Sequence, residues 1–237
     1  MRDKSRGKEY FDYCIKYHSQ ESEKLEMEIN SYTNQSYSWV LAQKKHLLNK
    51  KINILVAKYS RGDSLLELKK EFAQLTDCFM KFWTFDEEWY HLFSSGSFGD
   101  YVDDLRFASL ALLLNADMQI KNKIRNKLKE ALYYDEFIDS ILSDTYALPN
   151  KESLAMSEYV MKFVCAAEQC DCNPLAEYLQ VWYHDFKYDP WYNGHGLFGY
   201  WGKWAFEAAA VAKKFSLNDE CLKTDPFYPY DLAHFIE

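Results

Sequence analysis

The stretch Ser64-Leu65-Leu66-Glu67-Leu68-Lys69-Lys70-Glu71-Phe72-Ala73-Gln74-Leu75-Thr76-Asp77-Cys78-Phe79-Met80-Lys81-Phe82 decides the fold class. Leu65, Leu68, Phe72, Leu75, Phe79 and Phe82 recur at alternating steps of three and four, which places all six on one face of an α-helix. Charged residues fill the other face. Just before it, Gly62-Asp63-Ser64 reads as a helix stop followed by a helix start, with glycine at the stop and Asp63 or Ser64 as the cap.

The same spacing extends in both directions. Leu41, Leu48, Ile52, Leu55 and Tyr59 form one stripe. Val102, Leu105, Ser109 and Leu112 form another, in a segment so apolar that it reads as the central buried helix. Ile120, Ile124, Leu128 and Ala131 form a fourth. All five prolines follow Leu148, so the first 148 residues lack the strongest helix breaker. The spacing predicts helices near 7–29, 37–59, 64–92, 99–115, 118–131, 134–142, 152–168, 174–184 and 203–215. No window alternates with period two. The expected fold is all-α, a two-part bundle of about nine helices closed by an aromatic C-terminal strap. Asn115-Ala116-Asp117 reads as the junction, dividing the sequence into 1–117 and 118–237.

Composition narrows the function classes. The 237 residues carry 28 Lys+Arg and 36 Asp+Glu, a net charge of −8, which disfavours a grip on nucleic-acid phosphates. An aromatic content of 18% excludes a disordered chain. The longest apolar run, Ala108–Leu114, is too short for a bilayer, and Met1–Arg6 leads into no apolar signal core. A cytoplasmic protein with six reduced cysteines is expected. Charge is unevenly spread: residues 1–60 sum to +4 and residues 61–120 to −6. Within the second stretch, Asp86, Glu87, Glu88, Asp100, Asp103 and Asp104 are interleaved with Trp89, Tyr90, Phe93, Phe98 and Tyr101. From Asp86 to Asp104 there is no Lys or Arg. A solvated corner is the plain reading, and a partner surface the functional one.

Catalytic and metal signals are weak. Cys165, Cys170 and Cys172, with His184 and His195 downstream, lack C-x-x-C spacing and a second pair, so no metal is expected. Gly194-His195-Gly196-Leu197-Phe198-Gly199 matches G-x-G-x-x-G with Asp219 downstream. Its approach through Tyr188-Asp189-Pro190 is no strand, so dinucleotide binding is not expected. No G-x-S-x-G, H-E-x-x-H or P-loop occurs. No cofactor is called for, and no catalysis.

The last quarter is the most informative. Gly199-Tyr200-Trp201-Gly202-Lys203-Trp204-Ala205-Phe206-Glu207 opens an alanine-rich helix, with Trp204, Ala208, Val211 and Phe215 on one face. Glu207 sits among apolar neighbours, so its burial demands a partner such as a loop N–H or a tyrosine hydroxyl. Asp225-Pro226-Phe227-Tyr228-Pro229-Tyr230-Asp231-Leu232-Ala233-His234 then reads as a strap packed back on that helix. Tyr200, Trp204, Phe206, Glu207, Tyr228, Tyr230 and Asp231 are expected to be structural.

These two segments, GYWGKWAFEAAAVAKKF and DPFYPYDLAHF, resemble the C-terminal domain of the PoNi (polymorphic nuclease immunity) family. YSRGDSLLELKKEF at 59–72 and DYVDDLRFASLALLLN at 100–115 resemble its N-terminal domain. Trp201-Gly202-Lys203 reads as a small insertion in the family's glycine-tyrosine-tryptophan run. The resemblance implies a bacterial immunity protein, protecting its producer from a cognate PoNe-type DNase toxin often delivered by type VI secretion in interbacterial competition. It implies no catalysis and no membrane partner, and self-association is left open.

A basic nuclease would find its best complement in the acidic corner, so Asp86, Glu87, Glu88, Trp89, Asp100, Tyr101, Asp103 and Asp104 are the candidate toxin-binding residues. The expected mechanism is blockage of the toxin's DNA-binding or active-site cleft. The alternatives are allosteric distortion of the toxin and, in a different class, a helical hydrolase built on His184, Asp185 and His195.

Overall fold

The computed structural model describes residues 1–31, 37–82, 98–130, 135–145, 147–150, 157–185 and 200–236. Every regular element among them is helical, and the fold is all-α. The α-helices are α1 (Lys8–Ser31), α2 (Tyr37–Arg61), α3 (Leu65–Phe82), α4 (Phe98–Leu113), α5 (Met118–Glu130), α6 (Glu136–Leu142), α7 (Ser157–Gln169), α8 (Asn173–Asp185), α9 (Phe206–Phe215) and α10 (Tyr230–Ala233). A 3-10 turn, Glu220–Leu222, precedes α10. Nine of the ten follow the expected order. The tenth, α10, is a single turn inside the segment expected to be an irregular strap. Residues 83–92, the second half of the expected third helix, lie outside the described residues.

Packing gathers the chain into two compact units, 1–92 with 188–202 and 93–187 with 203–237. The first unit is built on α1, α2 and α3. Asp12 pairs with Arg61 at 2.6 Å and Glu26 with Lys51 at 2.7 Å, so α1 and α2 run antiparallel. Phe11, Leu47, Val56, Phe72 and Phe79 are among its most deeply buried apolar side chains. Each such burial contributes about 1.5–3 kcal/mol.

The predicted stop after α2 is real. Gly62 adopts φ +104, and its N–H donates to the carbonyls of Lys58 and Tyr59 at 3.1 and 3.0 Å. A Cβ there would lie 2.8 Å from the Met1 nitrogen, so both backbone angle and space require glycine. Asp63 is used differently from the expected cap. Arg61 holds its carboxylate through two hydrogen bonds of 2.8 and 2.5 Å. Arg2 then donates to the carbonyls of Tyr59 and Asp63 at 3.0 and 2.8 Å, placing a cation at the negative end of α2.

In the second unit α4 is the buried centre anticipated from its composition. Leu105, Phe107, Ala108, Leu110, Ala111 and Leu113 are buried on all sides. It packs against α5, α6 and α9. Ala208, Ala209 and Ala210 of α9 are fully buried, and their small side chains permit close approach. Lys213 of α9 donates to the carbonyls of Leu113 and Phe235 at 3.0 and 2.9 Å, tying the end of α4 to the C-terminal segment. α9 begins at Phe206, three residues later than the spacing suggested. Ala205, at φ −78 and ψ 72, is not helical; its N–H donates to the Phe227 carbonyl of the strap at 2.9 Å, and the Phe206 N–H turns back to the Trp204 carbonyl at 3.0 Å.

Candidate functional site

The acidic, aromatic corner divides three ways. Asp86, Glu87, Glu88 and Trp89 lie outside the described residues. Asp100 sits in the first turn of α4, where only its backbone is described. Tyr101, Asp103 and Asp104 are described, and two of them face inward. Tyr101 is 7% exposed and Asp104 5%. Tyr101 donates to Asp135 at 3.4 Å, and the Asp135 carboxylate in turn accepts from the Ile138 N–H at 2.8 Å, capping α6. Burial, with Asp135 alongside, pushes the Tyr101 hydroxyl far above the ordinary tyrosine value. Both residues thus belong to the interior rather than to a solvent-facing charge patch, and Asp103 is half-buried. The reason is α4 itself, whose burial leaves little solvent-facing surface along this stretch.

The expected structural residues come together around two polar centres of the second unit and one of the first. Glu207, in the first turn of α9, is buried and has three donors on a single oxygen. Tyr178 reaches its Oε1 at 2.5 Å, Trp182 Nε1 at 2.7 Å and Tyr159 at 3.3 Å. The two tyrosine hydroxyls are themselves 2.6 Å apart. Burial pushes the Glu207 carboxyl up, against these donors and its own backbone N–H, which favour ionisation. The partner demanded by the sequence is therefore a cage of α7 and α8 side chains. Phe206 and Trp204 are buried beside it in sequence.

The second centre is Asp219. Tyr228 donates to its Oδ2 at 2.5 Å and His234 Nε2 lies 3.2 Å from its Oδ1. Tyr230 donates to Glu220 at 2.6 Å and stacks on the His234 ring at 4.1 Å. Asp231 is exposed. In the first unit, Tyr200 donates to Asp3 Oδ2 at 2.7 Å and accepts from Ser60 at 3.0 Å. Sequence reading missed Asp3, Ser60 and Asp219. Their partners lie 197, 140 and 9 positions away. No local pattern marks the two distant contacts, although the Asp219–Tyr228 spacing within the strap was available.

His184 is exposed in the last turn of α8. The Asp185 side chain and His195 lie outside the described residues, as does the Gly194–Gly199 motif. Among the described residues no group of three His, Cys, Asp or Glu side chains is placed to hold a metal. A surface groove of about 280 Å³ between α2 and α3 is spanned by the Lys58–Glu71 pair at 2.7 Å.

The comparisons decide the family. Residues 2–126 match the model of the PoNe immunity protein (PoNi) N-terminal region, and residues 129–232 match that of the PoNe immunity proteins (PoNi) C-terminal region. The chain belongs to the PoNi family. Membership carries an immunity function against a nuclease toxin. The C-terminal match covers Glu207 with its three donors and Asp219 with Tyr228, so these side chains fall within the family's own region. The crystal structure of protein PA2201 from Pseudomonas aeruginosa is similar in fold, with a TM-score of 0.62 at 17% identity over 93% of this chain and 86% of that one. No curated protein sequence matches the chain. No helix among the described residues of this PoNi chain is long and apolar enough to cross a membrane.

Proposed function

We propose that this chain neutralises a cognate PoNe-type DNase by binding it directly and covering its DNA-binding or active-site cleft. It does so in the cytoplasm of a cell exposed to type VI secretion by its kin, and without turnover. The observation that carries this reading is the match to both PoNi regions along nearly the whole chain. Its net charge of −8 and pI near 5.3 support it, because a cleft built to hold phosphates is basic. Charge attraction accelerates encounter, which suits an antidote that must arrive before the genome is cut.

The buried carboxylates contribute nothing to that attraction. Its proposed source is the other acids of the sequence corner, Asp86, Glu87, Glu88 and Asp100, with Trp89 as the apolar anchor. On this reading the partner for the test is the nuclease expected to be encoded beside this gene. A catalytically inactivated form of the nuclease is loaded with labelled duplex DNA and then titrated with this protein. Cleft occlusion predicts release of the DNA as the complex forms. A stable ternary complex of toxin, DNA and immunity protein would replace occlusion with distortion from a distance.

A further inference from the structure

In the first unit, α1 buries one face of its 24 residues. Phe11, Cys14, His18, Ser22 and Leu25 form that face, at steps of three and four, and α1 packs with it against α2. The opposite line, Tyr13, Tyr17, Gln20, Lys24 and Met27, has the same spacing and is turned outward. Tyr17 is half-buried, whereas Tyr13 is 55% exposed and Met27 66%. A single exposed apolar side chain is ordinary, but three large ones along one helical line make a continuous surface.

The two ends of this line differ in character. At the aromatic end, Tyr13 stacks on Tyr17 with ring centroids 6.4 Å apart and planes 17° from parallel. The Tyr17 ring is in turn met by the edge of His18 at 5.3 Å, and Lys50 Nζ of α2 lies 5.1 Å over it. Rings held this way have little freedom left to lose when a partner covers them. At the other end, Glu21, Glu23, Glu26 and Glu28 surround Met27 in sequence, with Lys24 as the one base among them. Glu26 is paired with Lys51 at 2.7 Å, whereas Glu23 and Glu28 join no ion pair among the described residues.

We propose that this outer face of α1 is a docking surface for the nuclease toxin, laid along the basic groove that holds DNA phosphates. The inference rests on neutralisation by binding and deepens it by naming a face of the first unit. Tyr13, Tyr17 and Met27 are the anchors, of residue types enriched at protein interfaces. Glu21, Glu23 and Glu28 form the charged border. Charge complementarity selects the occupant: a phosphate-binding groove presents Lys and Arg, which pair with carboxylates and sit over tyrosine rings. Lys50 on the Tyr17 ring is an example of the second contact within the chain itself. At 1.5 Å per residue α1 is about 36 Å long, enough to lie along such a groove rather than plug one end.

The test uses the full chain and the catalytically inactivated nuclease. Tyr13→Ala combined with Met27→Ser changes two exposed sites and should melt like the unsubstituted chain. Its complex should be roughly tenfold weaker or more, through faster dissociation. Glu21→Gln, Glu23→Gln and Glu28→Gln together should slow association at low salt and match the unsubstituted chain at high salt. A readout without substitution is the oxidation of Met27 to its sulfoxide by hydrogen peroxide, which should be several-fold slower in the complex than in the free protein. Dissociation of the double variant at the unsubstituted rate, or equal Met27 oxidation in both states, overturns the docking face and leaves neutralisation by binding intact. So does a dimer of this chain that the double variant abolishes while nuclease binding persists, because the face then belongs to a second copy. Failure of the unsubstituted chain to bind the nuclease at all overturns neutralisation by binding, and the docking face with it.

Discussion

Tyr178 donates its hydroxyl hydrogen to Oε1 of Glu207 across 2.5 Å, inside a helical core from which both are shielded. That contact joins α8 to the first turn of α9, and Trp182 and Tyr159 complete it on the same oxygen. A buried carboxyl so surrounded is a structural tie whose strength depends on its proton.

Burial raises the Glu207 pKa above that of the unfolded chain, so the folded state holds the proton more tightly. The resulting stability is fully present below the unfolded value, about 4.3. It is lost as pH rises through the folded value. Glu207→Gln imitates the protonated form and should lose this dependence. Melting of the two proteins across pH 4.5 to 8 should show wild type falling relative to Glu207→Gln. Glu207→Ala removes the acceptor shared by Tyr178, Trp182 and Tyr159 from the interior, and should cost about 2–4 kcal/mol at any pH in that range. Parallel melting curves for wild type and Glu207→Gln would remove the linkage.

His18 gives the opposite sign. It is 1% exposed in the first unit, and neither ring nitrogen has a hydrogen-bond partner. Burial, with Lys50 nearby, pushes its pKa down to about 4. The neutral ring is favoured, so stability is present above the unfolded value near 6.5 and lost as pH falls through about 4. His18→Leu should therefore melt higher than wild type at pH 5 and show a shallower decline between pH 6.5 and 4. An unchanged decline would assign the acid sensitivity of this unit elsewhere.

The proposed acidic rim yields a kinetic expectation. Reversing Glu87, Glu88 and Asp100 to Lys should slow association with the nuclease and flatten its dependence on salt, with melting nearly unchanged. Asp104→Lys should behave differently. It places a cation in the interior and should lower the melting temperature before any effect on binding is measured. Wild-type association kinetics for the rim variant across the salt series would move the interface to another face.

Periodicity made most of the fold legible, because burial of one helical face leaves its mark every three or four residues. The stripes from Leu48 to Tyr59 and from Leu68 to Phe79 are buried as read. The start of α9 was misplaced because the non-helical backbone at Ala205, which meets the distant Phe227 carbonyl, leaves no mark in the residue spacing. The need for a partner at Glu207 was visible from its apolar neighbours. Its partners, Tyr159, Tyr178 and Trp182, were not, since they are fixed by the packing of three helices. Exposure was hardest to read. Asp104 and Tyr101 carry polar atoms, yet α4 is covered on all sides and takes them inside with it.

The most direct test of the account is a stoichiometric one. Purified nuclease at a fixed concentration, well above its affinity for this protein, is titrated with the immunity protein while DNA cleavage is followed. Neutralisation by binding predicts a linear fall in activity that reaches zero near one equivalent. Complete protection at a small fraction of an equivalent would contradict it, because only a catalyst inactivates many toxin molecules in turn.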